Sequence, residues 1–280
     1  MRIALATCLK LPKPDPDRKP LIDAILAQGA EAEWLAWDDP KADFSRFDLC
    51  VLRSTWNYIH VLPLFLEWIE RTSQLCRVMN PPDVLRWNSD KSYLGELAQE
   101  GVPVIPTIPV PKGSSPSLDR LLGGRSWSRI VIKPRFGAGS FATRRFQEPC
   151  GAEARDFLER SSAERDMMIQ PYLPSVEGPG EKALVWIAGE LTHAIRKAPR
   201  FGTDDEKTSE ALRIAPDERE FAERILRPWA GRLLYGRVDV ARDEDGKLLL
   251  MELELLEPSL FLIEEPRALD RLARACVGNA

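Results

Sequence analysis

Two apolar runs flanking a polar turn near the C-terminus limit most strongly what this chain can become. Arg237, Val238, Asp239 and Val240 lie in the first run, Asp243, Glu244, Asp245 and Gly246 form the turn, and residues 248–255 read Leu-Leu-Leu-Met-Glu-Leu-Glu-Leu. Asp-Gly between apolar runs signals an antiparallel hairpin. Strand side chains alternate between faces, which puts Glu252 and Glu254 on one face and Met251, Leu253 and Leu255 on the other. Asp239, on the neighbouring strand, reaches the same acidic patch. Residues two apart on a strand are roughly 6.7 Å apart. Across an effective dielectric of about 20, two like charges at that distance repel by about 2.5 kcal/mol. A third carboxylate adds to the repulsion and a cation relieves it. Hard oxygen ligands beside phosphate suit Mg²⁺, which takes one or two carboxylates together with phosphate oxygens. The same alternation also suits the wet face of an antiparallel sheet, and this segment alone does not choose.

Two further stretches bear on that choice. Ile130, Val131, Ile132 and Lys133 form an apolar strand ending in lysine, followed after Pro134 by Gly137, Ala138, Gly139 and Ser140. Glycines let backbone N–H groups approach phosphate oxygens, and the lysine adds a point charge. The lysine precedes the glycines and no GK[ST] appears, so this is not a Walker A loop; a surface hairpin would have the same pattern. Met168, Ile169, Gln170, Pro171, Tyr172 and Leu173 run from a strand into a loop holding Glu177 and Glu181. Such a strand end can offer backbone groups to an adenine edge and a carboxylate to ribose; it also suits a plain strand terminus.

The first hundred residues alternate strand and helix signals: strands at 2–7, 33–37, 49–53 and 77–79, and helices at 20–28, 61–71 and 89–99. That order predicts a parallel α/β unit. Residues 103–117 carry five prolines and read as a linker. Beyond it the spacing predicts strands at 129–134, 141–146, 167–173, 183–187, 190–196, 236–242 and 247–255, with helices at 152–160, 216–230 and the C-terminus. The class is α/β, α+β overall, divided as 1–102, 103–174 and 175–280.

Composition excludes several alternatives. With 39 basic against 43 acidic residues the net charge is −4, too balanced to draw the chain to nucleic acid. No apolar run is long enough to span a membrane. The five cysteines are far apart and odd in number, offering neither a disulfide framework nor a CxxC metal pattern. A reducing cytoplasm suits them. There is no GxSxG elbow and no Cys–His pairing. Arg53, Ser54 and Trp56 follow an apolar strand, at the end where open α/β sheets bind ligands. There an arginine could grip a carboxylate, or the segment could serve as a cap with Trp56 packed between domains. Ser259 is a second candidate for substrate contact. Arg200 and Lys197 suit phosphate contacts or surface charges, with the surface favoured for Lys197. His193 reads as structural.

Taken in order, Lys91 in W-N-S-D-K, Lys133 before the Gly turn, Q-P-Y-L, G-E-K, H-A-I-R-K, D-V and M-E-L-E-L resemble the ATP-grasp superfamily over roughly residues 80–262. The chain looks most like its glutathione-synthetase and ribosomal-protein glutamate-ligase branch. R-S-T-W-N-Y and E-L-E-L-L-E-P-S-L-F-L look like the smaller group containing the cyclo-ligase of cycloserine biosynthesis. The resemblance implies a parallel N-terminal domain, a small β-rich lid and a mainly antiparallel C-terminal domain. It implies ATP as cosubstrate with one or two Mg²⁺ ions, Mn²⁺ being admissible. Lys91 and Lys133 would hold phosphates under a flap of Gly137, Ala138, Gly139 and Ser140. Gln170, Tyr172 and Leu173 would line the adenine slot, with Glu177 or Glu181 on ribose. Asp239, Glu252 and Glu254 would hold metal, and Arg196 would stabilise the transferring phosphoryl group. Glu254 stands where the superfamily commonly has Asn, which leaves one or two ions open. The implied activity is ADP-forming ligation of a carboxylate to an amine on a small amino acid or peptide, with ring closure or a non-catalytic ATP-binding regulator as alternatives. Homo-oligomerisation is compatible with it.

Overall fold

A computed structural model of the chain describes all residues except 12, 115, 138, 140, 199–206 and 279–280. Three four-stranded sheets organise it. In the first, β1 (Arg2–Thr7), β2 (Glu31–Ala36), β3 (Leu49–Ser54) and β4 (Arg77–Met79) run parallel in the order β2-β1-β3-β4. Because β1 and β3 are covered on both faces, they read as nearly continuous apolar runs. Helix α1 (Arg18–Ala27) contributes Leu21 and Ile25 to one face. On the other, α2 (Leu62–Ser73) presents Phe65, Trp68, Ile69 and Thr72, a spacing that keeps one helical face inward.

Two short helices follow, α3 (Pro82–Asn88) and α4 (Tyr93–Gln99). Pro82 sits in the first turn of α3, where a missing N–H leaves no bond unmade. Val84, Tyr93, Leu94 and Leu97 turn away from the first sheet and pack on the third.

The proline-rich stretch 103–117 is more than a linker. It holds β5 (Ile108–Val110), an edge strand, where proline is tolerated. With β6 (Ile130–Pro134), β7 (Arg144–Phe146) and β8 (Met167–Pro171) it forms an antiparallel sheet of order β5-β8-β6-β7. That sheet packs on α5 (Leu118–Leu122) and α6 (Ala152–Glu164).

The third sheet is antiparallel, in the order β10-β9-β11-β12, from β9 (Glu181–Ile187), β10 (Glu190–Lys197), β11 (Tyr235–Arg242) and β12 (Leu248–Glu254). Helix α7 (Pro216–Leu226) covers one face with Phe221, Ala222, Ile225 and Leu226. The last helix, α8 (Pro266–Cys276), returns to the first sheet beside α1, so that Ala268, Leu272 and Ala273 join Ile3, Leu5 and Val185 in one core. Among the described residues no helix is long and apolar enough to cross a membrane.

Candidate active site

The three sheets surround a cleft of about 910 Å³. One detail of β12 decides what faces it. Asp239 pairs with Glu252 but Val240 pairs with Leu250, so Met251 is an extra, bulged residue. Strict alternation would have put Met251 with Leu253 and Leu255, away from the acids. Instead Met251 packs with Leu249, Ala241, Ile105 and Tyr172 and, with Ile105 and Tyr172, lines the cleft, while Leu250, Leu253 and Leu255 lie in the core behind. The bulge allows Leu250 to be core while Glu252 and Glu254 both line the cleft.

Cations and acids alternate across the floor. Lys91 Nζ is 3.0 Å from Glu252 Oε1 and donates to the Gly137 carbonyl at 2.5 Å. Lys197 Nζ bridges Asp239 Oδ2 at 2.5 Å and Glu181 Oε1 at 2.6 Å. Arg237 grips both Asp239 oxygens, Nε to Oδ1 at 2.8 Å and Nη2 to Oδ2 at 2.9 Å, and also pairs with Glu254. The electrostatics follow from this layout. Burial opposes charge on Asp239, but Arg237 and Lys197 outweigh it and hold the carboxyl down at about 2. Burial likewise opposes charge on Glu252, and there Lys91 and Lys133 win. On Glu254 burial prevails over Arg237, helped by repulsion from Glu252 and Asp239, and the carboxyl is pushed up to about 7. The Lys133 amine is lowered by burial, with Glu252 opposing and Lys91 adding repulsion.

Most of the residues singled out from sequence meet in this cleft: Lys91, Lys133, Gly137, Gly139, Gln170, Tyr172, Leu173, Glu181, Glu252, Glu254, Trp56 and Ser259 line it. Gly139, with φ of 61°, takes a backbone conformation that favours glycine. Ala138, Ser140 and Arg200 lie outside the described residues. Asp239 is 1% exposed, behind the cation layer rather than at the surface of the cleft. Glu177 is not among the lining residues. It accepts from Tyr172 Oη at 2.9 Å and Arg145 Nη1 at 2.8 Å, and these bonds, the Tyr172 one foremost, lower its pKa.

Four placements correct the sequence reading. Arg196 does not line the cleft: it is exposed on the outward face of β10 and its Cγ crosses Gly180, where an added Cβ would come within 2.5 Å. Lys197, one residue on, is not the surface charge the sequence favoured: it takes the inward face and the contacts with Asp239 and Glu181. Arg53 is 3% exposed and structural; its Nη1 donates to the Pro258 carbonyl at 3.2 Å. Ser54 is fully buried and donates to Asp15 Oδ2 at 2.5 Å. Arg237, Glu257 and Tyr58 were not singled out. Strand alternation does signal Arg237, two residues before Asp239 on β11.

Among the described residues no three His, Cys, Asp or Glu side chains gather as a metal cage. Two cleft-facing carboxylates, Glu252 and Glu254, are nonetheless the donor set Mg²⁺ takes when phosphates complete its shell.

Residues 3–80 match the family model of the N-terminal domain of the D-cycloserine synthetase DcsG. The cycloserine biosynthesis protein DcsG of Streptomyces lavendulae is 35% identical over 277 residues, covering 93% of each chain. The crystal structure of D-cycloserine synthetase DcsG superposes with a TM-score of 0.90 at 32% identity over the full length of both chains. A D-alanine–D-alanine ligase from Bacillus anthracis, complexed with ATP, shares the fold at 16% identity and a TM-score of 0.66, covering 100% of this chain and 97% of that one.

Proposed function

This chain belongs to the ATP-grasp ligase family of the cycloserine biosynthesis protein DcsG, and on that premise we propose that it closes a ring within one amino-acid-derived molecule. The likeness to DcsG supports ring closure, and the observation that carries the ATP-dependent chemistry is the bundle in the cleft, where Lys91, Lys133, Lys197 and Arg237 interleave with Glu181, Asp239, Glu252 and Glu254. Cations matched by acids suit a triphosphate that arrives with magnesium.

Lys91 and Lys133 would bind phosphate oxygens, while Met251, Tyr172 and Leu173 would wall the base, with Glu181 on ribose. Gly137 and Gly139, which line the cleft, would lie against the phosphates. Glu252 and Glu254 would hold one magnesium ion between them, and Asp239 would keep Lys197 and Arg237 aimed into the cleft. The ion would neutralise the phosphates and polarise the transferring group. In ligases of this kind a substrate carboxylate attacks the γ-phosphorus in line, ADP leaves, and a nitrogen displaces phosphate from the acyl group. Lys197 and Arg237, rather than Arg196, would stabilise the charge that builds on the transferring phosphoryl group. No nucleophilic side chain is required. The first sheet would supply the substrate wall, the second the lid, and the third, with α3 and α4 on its outer face, the metal and phosphate floor.

Cycloserine is a ring closed by an amide between the carboxylate and the aminooxy nitrogen of one serine-derived molecule, so the matching substrate is the open-chain aminooxy amino acid. Incubation with that acid, ATP and Mg²⁺ should release ADP and give a product lighter than the acid by one water. A product joining two molecules would replace cyclisation by intermolecular ligation. E252Q should lose at least about a hundredfold in turnover, the range for removal of one electrostatic stabiliser, with its unfolding transition retained. Full activity in E252Q would contradict the assignment of the floor.

A further inference from the structure

Of the acids that line the cleft, Glu257 differs in its partners. Glu181 has Lys197, Glu252 has Lys91 and Glu254 has Arg237. Among the described residues no lysine or arginine lies within ion-pair distance of Glu257. Its side chain borders the cleft beside Tyr58, and the residue is 7% exposed. Burial, reinforced by Glu254, pushes the carboxyl up to about 8 against the pull of Tyr58, Arg237 and Arg53.

The surroundings are built rather than incidental. Arg53 Nη1 donates to the Pro258 carbonyl at 3.2 Å and Arg237 Nη1 to the Ser259 carbonyl at 3.1 Å, fixing the loop that carries Glu257. Opposite, Tyr58 stacks on Phe65 with ring centroids 4.8 Å apart. Asn57 beside it accepts from Trp37 Nε1 at 2.7 Å and donates to Asp38 Oδ2 at 2.6 Å. A buried carboxylate in a rigid frame with no countercharge is unfavourable unless a ligand brings one.

We propose that Glu257 binds the substrate's α-ammonium group, making the preferred substrate a zwitterionic α-amino acid whose carboxylate points to the cationic floor. The inference rests on the ring-closing reading and adds where the substrate's α-nitrogen is held. The α-nitrogen is the stronger base and the aminooxy nitrogen the weaker. Held as an ammonium against Glu257, the α-nitrogen has no lone pair with which to attack a second activated molecule, and the aminooxy nitrogen of the same molecule closes the ring. A charge-assisted hydrogen bond of this kind is a specificity contact as well as an affinity one.

The test compares the aminooxy amino acid with the same aminooxy acid lacking its α-amino group, in wild type and in E257Q, by ADP release under saturating ATP and Mg²⁺. Wild type should prefer the amino acid in kcat/KM by about tenfold to a hundredfold, as for a hydrogen bond to a charged group, with most of the difference in KM. In E257Q that ratio should fall towards one while the KM for ATP stays put, which a merely misfolded variant would not show. An unchanged ratio in E257Q overturns the ammonium site alone. Absence of acid-dependent ADP release from wild type with either compound overturns the ring-closing reading beneath it.

Discussion

Adjacent residues on β10 divide the roles that the sequence suggests for one of them. Lys197 points inward to Asp239 and Glu181, and Arg196 points outward across Gly180. K197A should therefore reduce turnover by about a hundredfold or more, the scale of a lost electrostatic stabiliser. R196A should stay within about threefold of wild type, as an exposed substitution normally does. Steady-state ADP release from the two variants checks this, and equal losses would return Arg196 to the site. Strand alternation requires only that Arg196 and Lys197 face opposite sides of β10; which of them faces the cleft was not legible, since Ala194 and Ile195 on the two faces are equally buried. Lys133, Glu252 and Glu254 were legible because each follows apolar strand residues with a charge, whereas Lys91, in W-N-S-D-K, was legible only through the resemblance. Glu257 and Tyr58 were not, since each follows a polar or loop segment and they meet only when β12 is brought against the first sheet.

At the level of elements, the hairpin of β11 and β12 was legible from its Asp-Gly turn and apolar flanks, and the bulge within it was not. One extra residue leaves no mark on an all-apolar run such as Leu248–Leu250 followed by Met251, because either face would accept any of them. Its consequence is measurable. Leu250 is fully buried in the core, whereas Met251 is half-buried in the cleft wall. L250A should lower unfolding stability by about 2–5 kcal/mol, as truncation of a core leucine does, and leave the KM for ATP unaltered in the protein that remains folded. M251A should do the reverse, raising the KM for ATP severalfold with a far smaller loss of stability. Denaturant unfolding and ATP kinetics on both variants distinguish them, and a stability loss in M251A as large as in L250A would mean that the strand is not bulged there. Helix α3 and strand β5 escaped the sequence reading. At β5 the prolines were read as a linker, and at α3 no helix was expected, although a sheet edge and a first helical turn are the two places where proline's missing N–H does no harm.

Across the whole molecule, the cleft is where three separately built sheets meet, and none of them holds a complete site. The first contributes the wall at Trp56 and Tyr58, the second Lys133 and Gln170, and the third the acids with Lys197 and Arg237. Lys91, on the segment between the first and second sheets, reaches Glu252 of the third and the carbonyl of Gly137 on the turn after β6. Helix α8 and the loop before it tie the first sheet to the third through a shared core with Val185, Leu260 and Leu262. The second sheet has a core of its own, an arrangement suited to a lid that moves over a fixed floor. The central claim is that this floor brings a carboxylate against the terminal phosphate of ATP. Labelling the carboxylate of the aminooxy amino acid with heavy oxygen and analysing the inorganic phosphate released with ADP tests that claim most directly. The account predicts one labelled oxygen in each phosphate formed; phosphate carrying no label, with all of it retained in the amide product and water, would contradict it.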